Sequence, residues 1–184
     1  SLNQMKYIIK GGNQLSGKVK ISGAKNSALK IMAASIMSKG KTILKNVPII
    51  DDVLTMAEVL ELLGAKINLD RRNNSIEIEP DNIKSFEAPY ELVRKMRASI
   101  LVAGPLLSRF GEVKVAIPGG CNIGSRQIDM HLKGFELMGA ESVTEHGYVY
   151  IKTKRFSAKG LGGKLNGAKV KLDFHSRGAT ENIL

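Results

Sequence analysis

Apolar positions along the chain alternate between two spacings, one typical of helices and one typical of strands. Stretches with apolar residues three and four positions apart predict helices that bury one face. Short β-branched or alternating stretches lie between them and predict strands. The predicted helices are Leu29–Met37 with a lead-in at Gly23–Ala28, a helix capped by Asp51 and Asp52 that ends at Gly64, Tyr90–Ser108 and Gln127–Met138. The predicted strands are Met5–Lys10, Lys18–Ile21, Thr42–Val47, Ala65–Leu69, Ser75–Glu79, Glu112–Ile117, Ala140–Val143 and Tyr148–Lys152.

The order of these elements repeats along the chain. Leu60–Ala65 matches Phe135–Ala140 almost residue for residue. A third copy begins at Gly167–Asp173, and its last residues, Glu181–Leu184, are typical of the first turn of a helix. The pattern therefore predicts an α/β fold built from βαβαββ units, and we expect the natural chain to continue beyond Leu184. The units are expected at about residues 23–89, 90–165 and 166–184.

The net charge of the chain suggests which kind of partner it binds. The chain carries 28 Lys and Arg against 17 Asp and Glu, for a net charge of +11. Such an excess favours anionic partners. Nucleic-acid binding usually combines basic clusters with aromatic platforms, whereas aromatic residues are only 5% of this chain and Trp is absent. We therefore expect no nucleic-acid partner. The charge is interpreted as steering a small phosphorylated ligand, or as an incidental solvated surface.

Hydropathy and cysteine content suggest a cytoplasmic compartment. No apolar run approaches the length of a membrane span, and the first residues lack the apolar core of a signal peptide. The single cysteine excludes an intramolecular disulfide and is typical of a reducing environment. We therefore expect a cytoplasmic protein without a membrane partner.

The same cysteine lies in the stretch with the most suggestive chemistry, Pro118–Arg126. Three glycines surround Cys121, and Arg126 follows it. A nearby guanidinium stabilises a thiolate and also binds phosphate or carboxylate groups. The alternative is a cysteine in a surface loop beside an arginine by chance, and residue chemistry alone leaves both interpretations open.

Four motifs in order allow a family to be recognised. They are Gly23-Ala24-Lys25-Asn26, Met96-Arg97-Ala98-Ser99, Pro118-Gly119-Gly120-Cys121-Asn122-Ile123-Gly124-Ser125-Arg126 and Gly178-Ala179-Thr180. Together they closely resemble the UDP-N-acetylglucosamine 1-carboxyvinyltransferase family, the enolpyruvyl transferases of bacterial peptidoglycan synthesis. The resemblance spans Tyr7–Leu184. It implies one lobe of the inside-out α/β barrel type, with two complete βαβαββ repeats and the start of a third. It also implies that residues 1–22 are strands of a second lobe, that residues 23–184 are an incomplete first lobe, and that the site lies between the lobes.

The resemblance further implies a reaction. The family transfers the enolpyruvyl group of phosphoenolpyruvate to the 3-hydroxyl of UDP-N-acetylglucosamine and releases phosphate, in the first committed step of peptidoglycan synthesis. No metal and no cofactor are expected. Cys121 is the implied catalytic thiol, which protonates the methylene carbon, can add covalently to phosphoenolpyruvate and is alkylated by fosfomycin. Without the second lobe we expect this chain to be inactive and to self-associate through exposed core surface.

The remaining site residues are also implied by the resemblance. Its phosphoenolpyruvate contacts are Lys25, Asn26 and Arg126. Its UDP-N-acetylglucosamine contacts are Arg97, Arg126, Gln127, Ile128, Asp129, Met130, Ser176 and Gly178. By residue chemistry alone, Lys25 and Arg97 are also ordinary exposed charges, and Asp129 is a carboxylate placed well for the helix dipole. His131, on the same helix, is either near the site or a partly buried polar residue. His175 and Arg177 depart from the family pattern, and Arg177 is either an added cation for the diphosphate or solvated.

Three alternatives remain at this point. The shikimate-pathway enolpyruvyl transferases share the fold and the phosphoenolpyruvate chemistry but lack a loop cysteine such as Cys121. A nucleotide-sugar-binding half that performs no chemistry would bind ligand without releasing phosphate. A basic nucleic-acid-binding domain would show an affinity that falls steeply with salt.

Overall fold

The computed structural model describes residues 7–84, 86–88, 97–116, 126–153 and 164–184, with backbone only at residues 88, 97–99, 126 and 127. The helices are α1 (Lys25–Ala34), α2 (Asp51–Leu63), α3 (Ala103–Phe110), α4 (Arg126–Leu137) and α5 (Arg177–Ile183). The strands are β1 (Thr42–Leu44), β2 (Lys66–Asp70), β3 (Ser75–Glu79), β4 (Glu87–Ala88), β5 (Glu112–Ala116), β6 (Ala140–Glu145) and β7 (Tyr148–Thr153). Two 3₁₀ segments cover Ser35–Met37 and Arg97–Val102. Among the helices described, none is both long and apolar enough to cross a membrane.

The described strands form two sheets that follow the predicted repeat. The first sheet has the order β1-β3-β2, with both pairings antiparallel. The second has the order β4-β5-β7-β6, in which β4 runs parallel to β5 and the other pairings are antiparallel. Alternation along β3 shows why these residues form a strand, since Ile76 and Ile78 are fully buried while their neighbours are partly exposed. The predicted α/β class and the predicted hairpins are confirmed.

Local turn chemistry closes both hairpins. His146 and Gly147 take positive φ angles of 51° and 80°, as a two-residue hairpin turn requires. The turn between β2 and β3 is held by Asp70, whose carboxylate accepts hydrogen bonds from the backbone N–H groups of Arg72 and Asn73 at 3.0 and 3.1 Å. The side chain of Asn73 also donates to Asp70, and this bond is the main reason that the Asp70 pKa lies below its usual range.

One hydrophobic core runs through both units. The 3₁₀ segment 97–102 packs against α1, and α3 packs against the 3₁₀ segment 35–37. Arg109 ties the units together, because its Nη1 donates to the carbonyl oxygens of Ile36 and Pro80 at 2.8 and 2.9 Å. Side chains at most 1% exposed come from helices and strands of both units, among them Met32, Leu60, Leu106, Phe135 and Ile151.

The start of the third unit is also present. α5 packs on α4, on α3 and on the 3₁₀ segment 97–102. Two glycines permit this close approach: a Cβ at Gly104 would overlap the backbone oxygen and side chain of Asn182, and one at Gly134 would overlap Ile183. A helix is therefore present at the predicted end of the chain and lies against the core, but it begins at Arg177, so Glu181–Ile183 form its last turn and not the first turn that was predicted.

The predicted strands Met5–Lys10 and Lys18–Ile21 are not formed in the part that the structure describes. Residues 7–24 contain no strand, and Ile8 and Val19 are 90% and 89% exposed. A strand needs a neighbour for its backbone groups, and no described strand pairs with this segment. The first unit is consequently αβαββ, whereas the second unit has its leading strand in β4.

The helix predicted over Tyr90–Ser108 is also different from the one observed. Residues 90–96 of this prediction lie outside the described residues. From Arg97 onward, a 3₁₀ segment covers Arg97–Val102 and an α-helix covers Ala103–Phe110. Pro105 lies in the first turn of α3, where a backbone N–H needs no partner within the helix. A continuous α-helix would place the proline ring against the carbonyl of Leu101, so the preceding turns tighten instead.

Two smaller predictions about the first unit are wrong. The strand predicted over Thr42–Val47 ends at Leu44, because Asn46 takes a φ of 57° that no strand continues through. Asp51 and Asp52 do not cap α2. The cap position is Ile50, without a side-chain hydrogen bond, and the two carboxylates occupy the first turn, where the helix dipole favours them.

Candidate functional site

The first turn of α1 contains Lys25 and Asn26, so this helix begins earlier than the predicted Leu29. Ala24 precedes it in an extended conformation and offers no side-chain cap, which leaves the first backbone N–H groups of the helix without a partner from the cap. The first turn holds no acidic residue, and a lysine there opposes the helix dipole. An ammonium, an amide and backbone N–H groups thus meet at one helix end, an arrangement suited to an anion.

Asp52 is the residue that Lys25 contacts. The Lys25 Nζ lies 2.6 Å from the Asp52 Oδ2, and the side chains are 46% and 42% exposed. Because α1 packs against α2, this ion pair joins the first turns of the two helices. The sequence pattern explained Asp52 as a helix cap and did not reveal this contact, since only the packing of two distant segments creates it.

The second motif lies next to α1. The 3₁₀ segment that begins at Arg97 packs against α1, which brings the backbone of this motif to the helix that carries Lys25. The side chain of Arg97 lies outside the described residues.

Most of the third motif, including Cys121, lies outside the described residues. Its last residue, Arg126, begins α4 and is followed by Gln127, and the side chains of both are not described. Ile128 and Met130 are 9% and 8% exposed, and Ile128 belongs to the hydrophobic core. Any contact that these two make with a ligand must therefore come mainly from their backbone.

The start of α5 lies beside α4. Ser176 caps α5, with its Oγ accepting a hydrogen bond from the backbone N–H of Ala179 at 3.2 Å. Gly178 lies next to the ring of His131, since an added Cβ would be 3.6 Å from both Cε1 and Nε2. The structure thus brings the segments 128–131 and 176–178 together, as the resemblance implies. The two residues that depart from the family pattern, His175 and Arg177, are exposed.

His131 is buried, with an exposed fraction of 3%, and it makes a hydrogen bond to Asn182. The Asn182 Nδ2 lies 2.9 Å from the His131 Nδ1 and donates to the carbonyl oxygen of Ile100 at 3.0 Å. The Asn182 Oδ1 accepts from the backbone N–H of Gly104 at 2.9 Å. Burial lowers the pKa of His131 to about 4, so the ring is neutral near pH 7. Sequence analysis did not single out Asn182, because nothing in the sequence distinguishes a buried asparagine in a short helix from an exposed one.

Two clusters of candidate residues result. One is the first turn of α1 with Lys25 and Asn26, on the helix against which the segment 97–102 packs, and the other combines residues 128–130 with 176–178. The hydrogen bonds of Asn182 connect the segment 97–102 to α4 and therefore link the two clusters. Over the described ranges, no group of three or more His, Cys, Asp or Glu side chains is arranged to hold a metal ion.

Comparison with protein families identifies relatives of the whole chain. The family model for EPSP synthase (3-phosphoshikimate 1-carboxyvinyltransferase) matches residues 9–184. The UDP-N-acetylglucosamine 1-carboxyvinyltransferase 2 of Clostridium tetani is 48% identical over 97% of this chain and 41% of its own length. A protein named UDP-N-acetylglucosamine 1-carboxyvinyltransferase 1 from Caldanaerobacter subterraneus is 49% identical over 97% of this chain and 40% of its own length. The chain thus spans about two fifths of the length of these curated relatives.

Solved structures with a similar fold include enolpyruvyl transferases. The enolpyruvyl transferase NikO from Streptomyces tendae matches with a TM-score of 0.67 and 24% identity, over 80% of this chain and 32% of that one. The EPSP synthase of Acinetobacter baumannii matches with a TM-score of 0.62 and 20% identity, over 91% of this chain and 37% of that one. These likenesses show the fold.

Proposed function

The chain belongs to the EPSP synthase (3-phosphoshikimate 1-carboxyvinyltransferase) family, and from this premise we propose that it forms part of an enolpyruvyl transferase that acts on UDP-N-acetylglucosamine. The enzyme transfers the enolpyruvyl group of phosphoenolpyruvate to the sugar 3-hydroxyl and releases phosphate. The observation that carries the proposal is the first turn of α1, where Lys25 and Asn26 form an anion-attracting end inside a family motif. The names of the relatives at 48% and 49% identity support the choice of acceptor.

Phosphoenolpyruvate is assigned to this end of α1. Its phosphate group accepts hydrogen bonds from Lys25, Asn26 and Arg126, because a cation and an amide suit the charge and orientation of a phosphate. The ammonium of Lys25 contacts Asp52 in this structure. When phosphoenolpyruvate binds, this ammonium turns to the phosphate or contacts both the phosphate and Asp52. A bound dianion also relieves the unfavourable position of Lys25 at a helix N-terminus.

UDP-N-acetylglucosamine is assigned to the neighbouring cluster. The residues that contact it are Arg97, Arg126, Gln127, Ile128, Asp129, Met130, Ser176 and Gly178. The burial of Ile128 and Met130 supports backbone contacts at these two positions, and Asp129 is the partly exposed side chain between them. Gly178 contributes its lack of a side chain, because a larger residue would lie between the ligand and His131.

Cys121 is assigned the acid role in the chemical step. The sugar 3-hydroxyl oxygen bonds to the central carbon of phosphoenolpyruvate and releases its proton to solvent, while the thiol gives its proton to the methylene carbon and becomes a thiolate. The resulting tetrahedral intermediate then loses phosphate from the central carbon and a proton from the methyl group to the thiolate, which restores the double bond and the thiol. A thiol beside an arginine has a pKa suited to acid–base work near neutral pH. No cofactor takes part.

The exposed segment 7–22 is assigned to a second lobe. Its large apolar side chains, including Tyr7, Ile8 and Ile21, are more than 80% exposed. Exposed β-forming residues of this kind suit pairing with strands that lie elsewhere in a longer protein. Residues 23–184 then form one incomplete lobe, and the second lobe completes the site from across a cleft. We expect the whole enzyme to work in the bacterial cytoplasm, and this chain alone to release no phosphate and to self-associate.

The proposal is tested by measuring phosphate release from phosphoenolpyruvate by the full-length natural protein, with and without UDP-N-acetylglucosamine. We expect release that depends on the sugar nucleotide and falls at least about a hundredfold in Cys121→Ala, because the acid step is lost. Lys25→Met is expected to raise the KM for phosphoenolpyruvate. Lys66→Met is the matched control, because the Lys66 side chain is 72% exposed on β2, and it should behave as wild type.

A second candidate acceptor is 3-phosphoshikimate, and the name of the matching family favours it. The same assay with 3-phosphoshikimate in place of the sugar nucleotide separates the two. Phosphate release that depends on 3-phosphoshikimate and not on UDP-N-acetylglucosamine would overturn our assignment of the acceptor. Binding of the sugar nucleotide without any phosphate release would instead indicate a binding protein.

A further inference from the structure

Asn182, in the third unit, lies against three segments of the second unit. Its Oδ1 accepts a hydrogen bond from Gly104 at the start of α3, and its Nδ2 donates to Ile100 in the 3₁₀ segment. The same Nδ2 reaches the Nδ1 of His131 on α4. An amide has two donor hydrogens, so both Nδ2 contacts are satisfied together. No polar side-chain atom that is fully buried among the described residues lacks a partner.

These contacts fix the orientation of the amide and the tautomer of the histidine. The oxygen of Asn182 must face the N–H of Gly104 and its nitrogen must face the carbonyl of Ile100, so the reversed amide is excluded. The Nδ1 of His131 therefore accepts a hydrogen bond and carries no proton. The proton of the neutral ring lies on Nε2, which is the ring edge beside Gly178.

The surroundings allow little adjustment. Gly104 meets Asn182, and Gly134 meets Ile183, at distances that leave no room for a Cβ. Glu181, next to Asn182, forms an ion pair with Lys30 of α1. A helix held by close glycine contacts and an ion pair cannot rotate to bring another side chain into the position of Asn182.

We propose that Asn182 is a positioning residue for the sugar-nucleotide subsite. Through His131 it sets the place of α4, whose first turn carries residues 126–130, relative to the segment 97–102 and to Gly178. It also holds the Nε2–H edge of His131 toward Gly178. This inference rests on the proposed function, because the ligand at these segments is the one assigned above. Asn182 and His131 act on the ligand through the backbone they hold.

The test uses the full-length natural protein and separates the two substrates. Asn182→Ala is expected to raise the KM for UDP-N-acetylglucosamine about tenfold, because a small displacement of the contact segments weakens binding. The KM for phosphoenolpyruvate should change less than about threefold, since two of its three assigned contacts, Lys25 and Asn26, lie on α1, and only Arg126 lies on α4. Lys133→Met is the matched control on α4, because its ion pair with Asp173 is exposed, and both KM values should stay as in wild type.

A pair of substitutions at His131 shows whether the hydrogen bond matters or only the packing. His131→Gln keeps an acceptor for Asn182 and should raise the KM for the sugar nucleotide less than His131→Leu, which has none. Equal KM values for the two variants, or equal changes for both substrates in Asn182→Ala, would overturn the proposal. This comparison also holds if Asn182→Ala fails to fold.

Nuclear magnetic resonance of ¹⁵N-labelled histidine tests the geometry without activity. The wild-type His131 ring should show a protonated Nε2 and an unprotonated Nδ1. Asn182→Asp should shift the proton to Nδ1, because a carboxylate accepts from it. A protonated Nδ1 in the wild type would overturn the inference. If wild-type protein neither binds nor uses the sugar nucleotide, the proposed function fails. This inference alone fails if the wild type uses the sugar nucleotide but lacks the expected tautomer, or if the variants do not differ as expected.

Discussion

At the scale of single residues, the polar groups of this chain that matter are those whose positions oppose a local preference. Lys25 lies at a helix N-terminus, where its charge is unfavourable, and a bound anion would reverse that effect. His131 is an ionisable residue in the core, where the charged form is disfavoured. Deviations of this kind are expected at functional sites. Lys25 lies within a family motif, and His131 directly follows the residues 127–130 that the resemblance assigns to the sugar nucleotide.

The burial of His131 predicts a dependence of stability on pH. The unfolded ring takes up a proton near pH 6.5 and the folded ring only near pH 4, so between these values the unfolded state binds more protons. Stability therefore rises with pH through this window and is lost as the pH falls from about 6.5 to about 4. The total effect is on the order of 3 kcal/mol.

Urea unfolding of the wild type and of His131→Gln at several pH values between 4 and 7 checks this expectation. The difference in unfolding free energy between the two proteins isolates the histidine, because acids with lowered pKa values such as Asp70 and Glu77 are present in both. Parallel pH profiles for the two proteins would contradict the prediction.

At the scale of elements, two glycines in helices control how closely α5 approaches its neighbours. A Cβ at Gly104 would strike the backbone oxygen of Asn182, which cannot move without shifting α5. A Cβ at Gly134 would strike only the end of the Ile183 side chain, which can change rotamer. The same substitution should therefore have different effects at the two positions.

We expect Gly104→Ala to destabilise the fold by about 2–3 kcal/mol, as overpacking against backbone does. Gly134→Ala should change the stability by less than about 1 kcal/mol, because the gain in helix propensity offsets the repacking of Ile183. Thermal or urea unfolding of both variants measures this. A larger loss for Gly134→Ala than for Gly104→Ala would show that the contact between α3 and α5 is adjustable.

The elements themselves were predictable where their causes are local. The turn at His146 and Gly147 and the end of α2 at Gly64 follow from residues that accept positive φ angles, and both were predicted from the sequence. The 3₁₀ segment before Pro105 was not predicted, although its cause is also local, because apolar spacing alone does not separate it from an α-helix.

The candidate site also has a part that was predictable from the sequence and a part that was not. The motifs indicated Lys25, Arg97 and the segment after Cys121 as candidates, because each family motif consists of consecutive residues. The contacts of Asp52 and Asn182 were missed, because each joins segments far apart in the chain. Which side of α4 faces a ligand was also beyond the sequence, since the burial of Ile128 depends on how the helix lies against the core.

At the scale of the whole molecule, the described chain combines one shared core with one exposed segment. Limited digestion of this 184-residue chain with trypsin should cut early after Lys10, Lys18 and Lys20 and after Lys164, Lys169 and Lys171, which lie in exposed backbone outside any described helix or strand. Sites within the helices and strands should be cut later, because Arg109 and the common core hold both units together. Mass spectrometry of early digests identifies the cuts. First cuts after Lys30 in α1 or after Lys114 in β5 would contradict the prediction.

The exposed segment 7–22 also has a consequence for the order of events during synthesis. A ribosome makes these residues before residues 23–184, yet nothing in the described fold of residues 23–184 covers their apolar side chains. If their strand partners belong to a later part of a longer chain, the segment must wait through most of translation before it can pair. Its lysines, Lys10, Lys18 and Lys20, then keep the nascent chain soluble during that delay, since charges beside apolar strand residues discourage premature pairing with other chains.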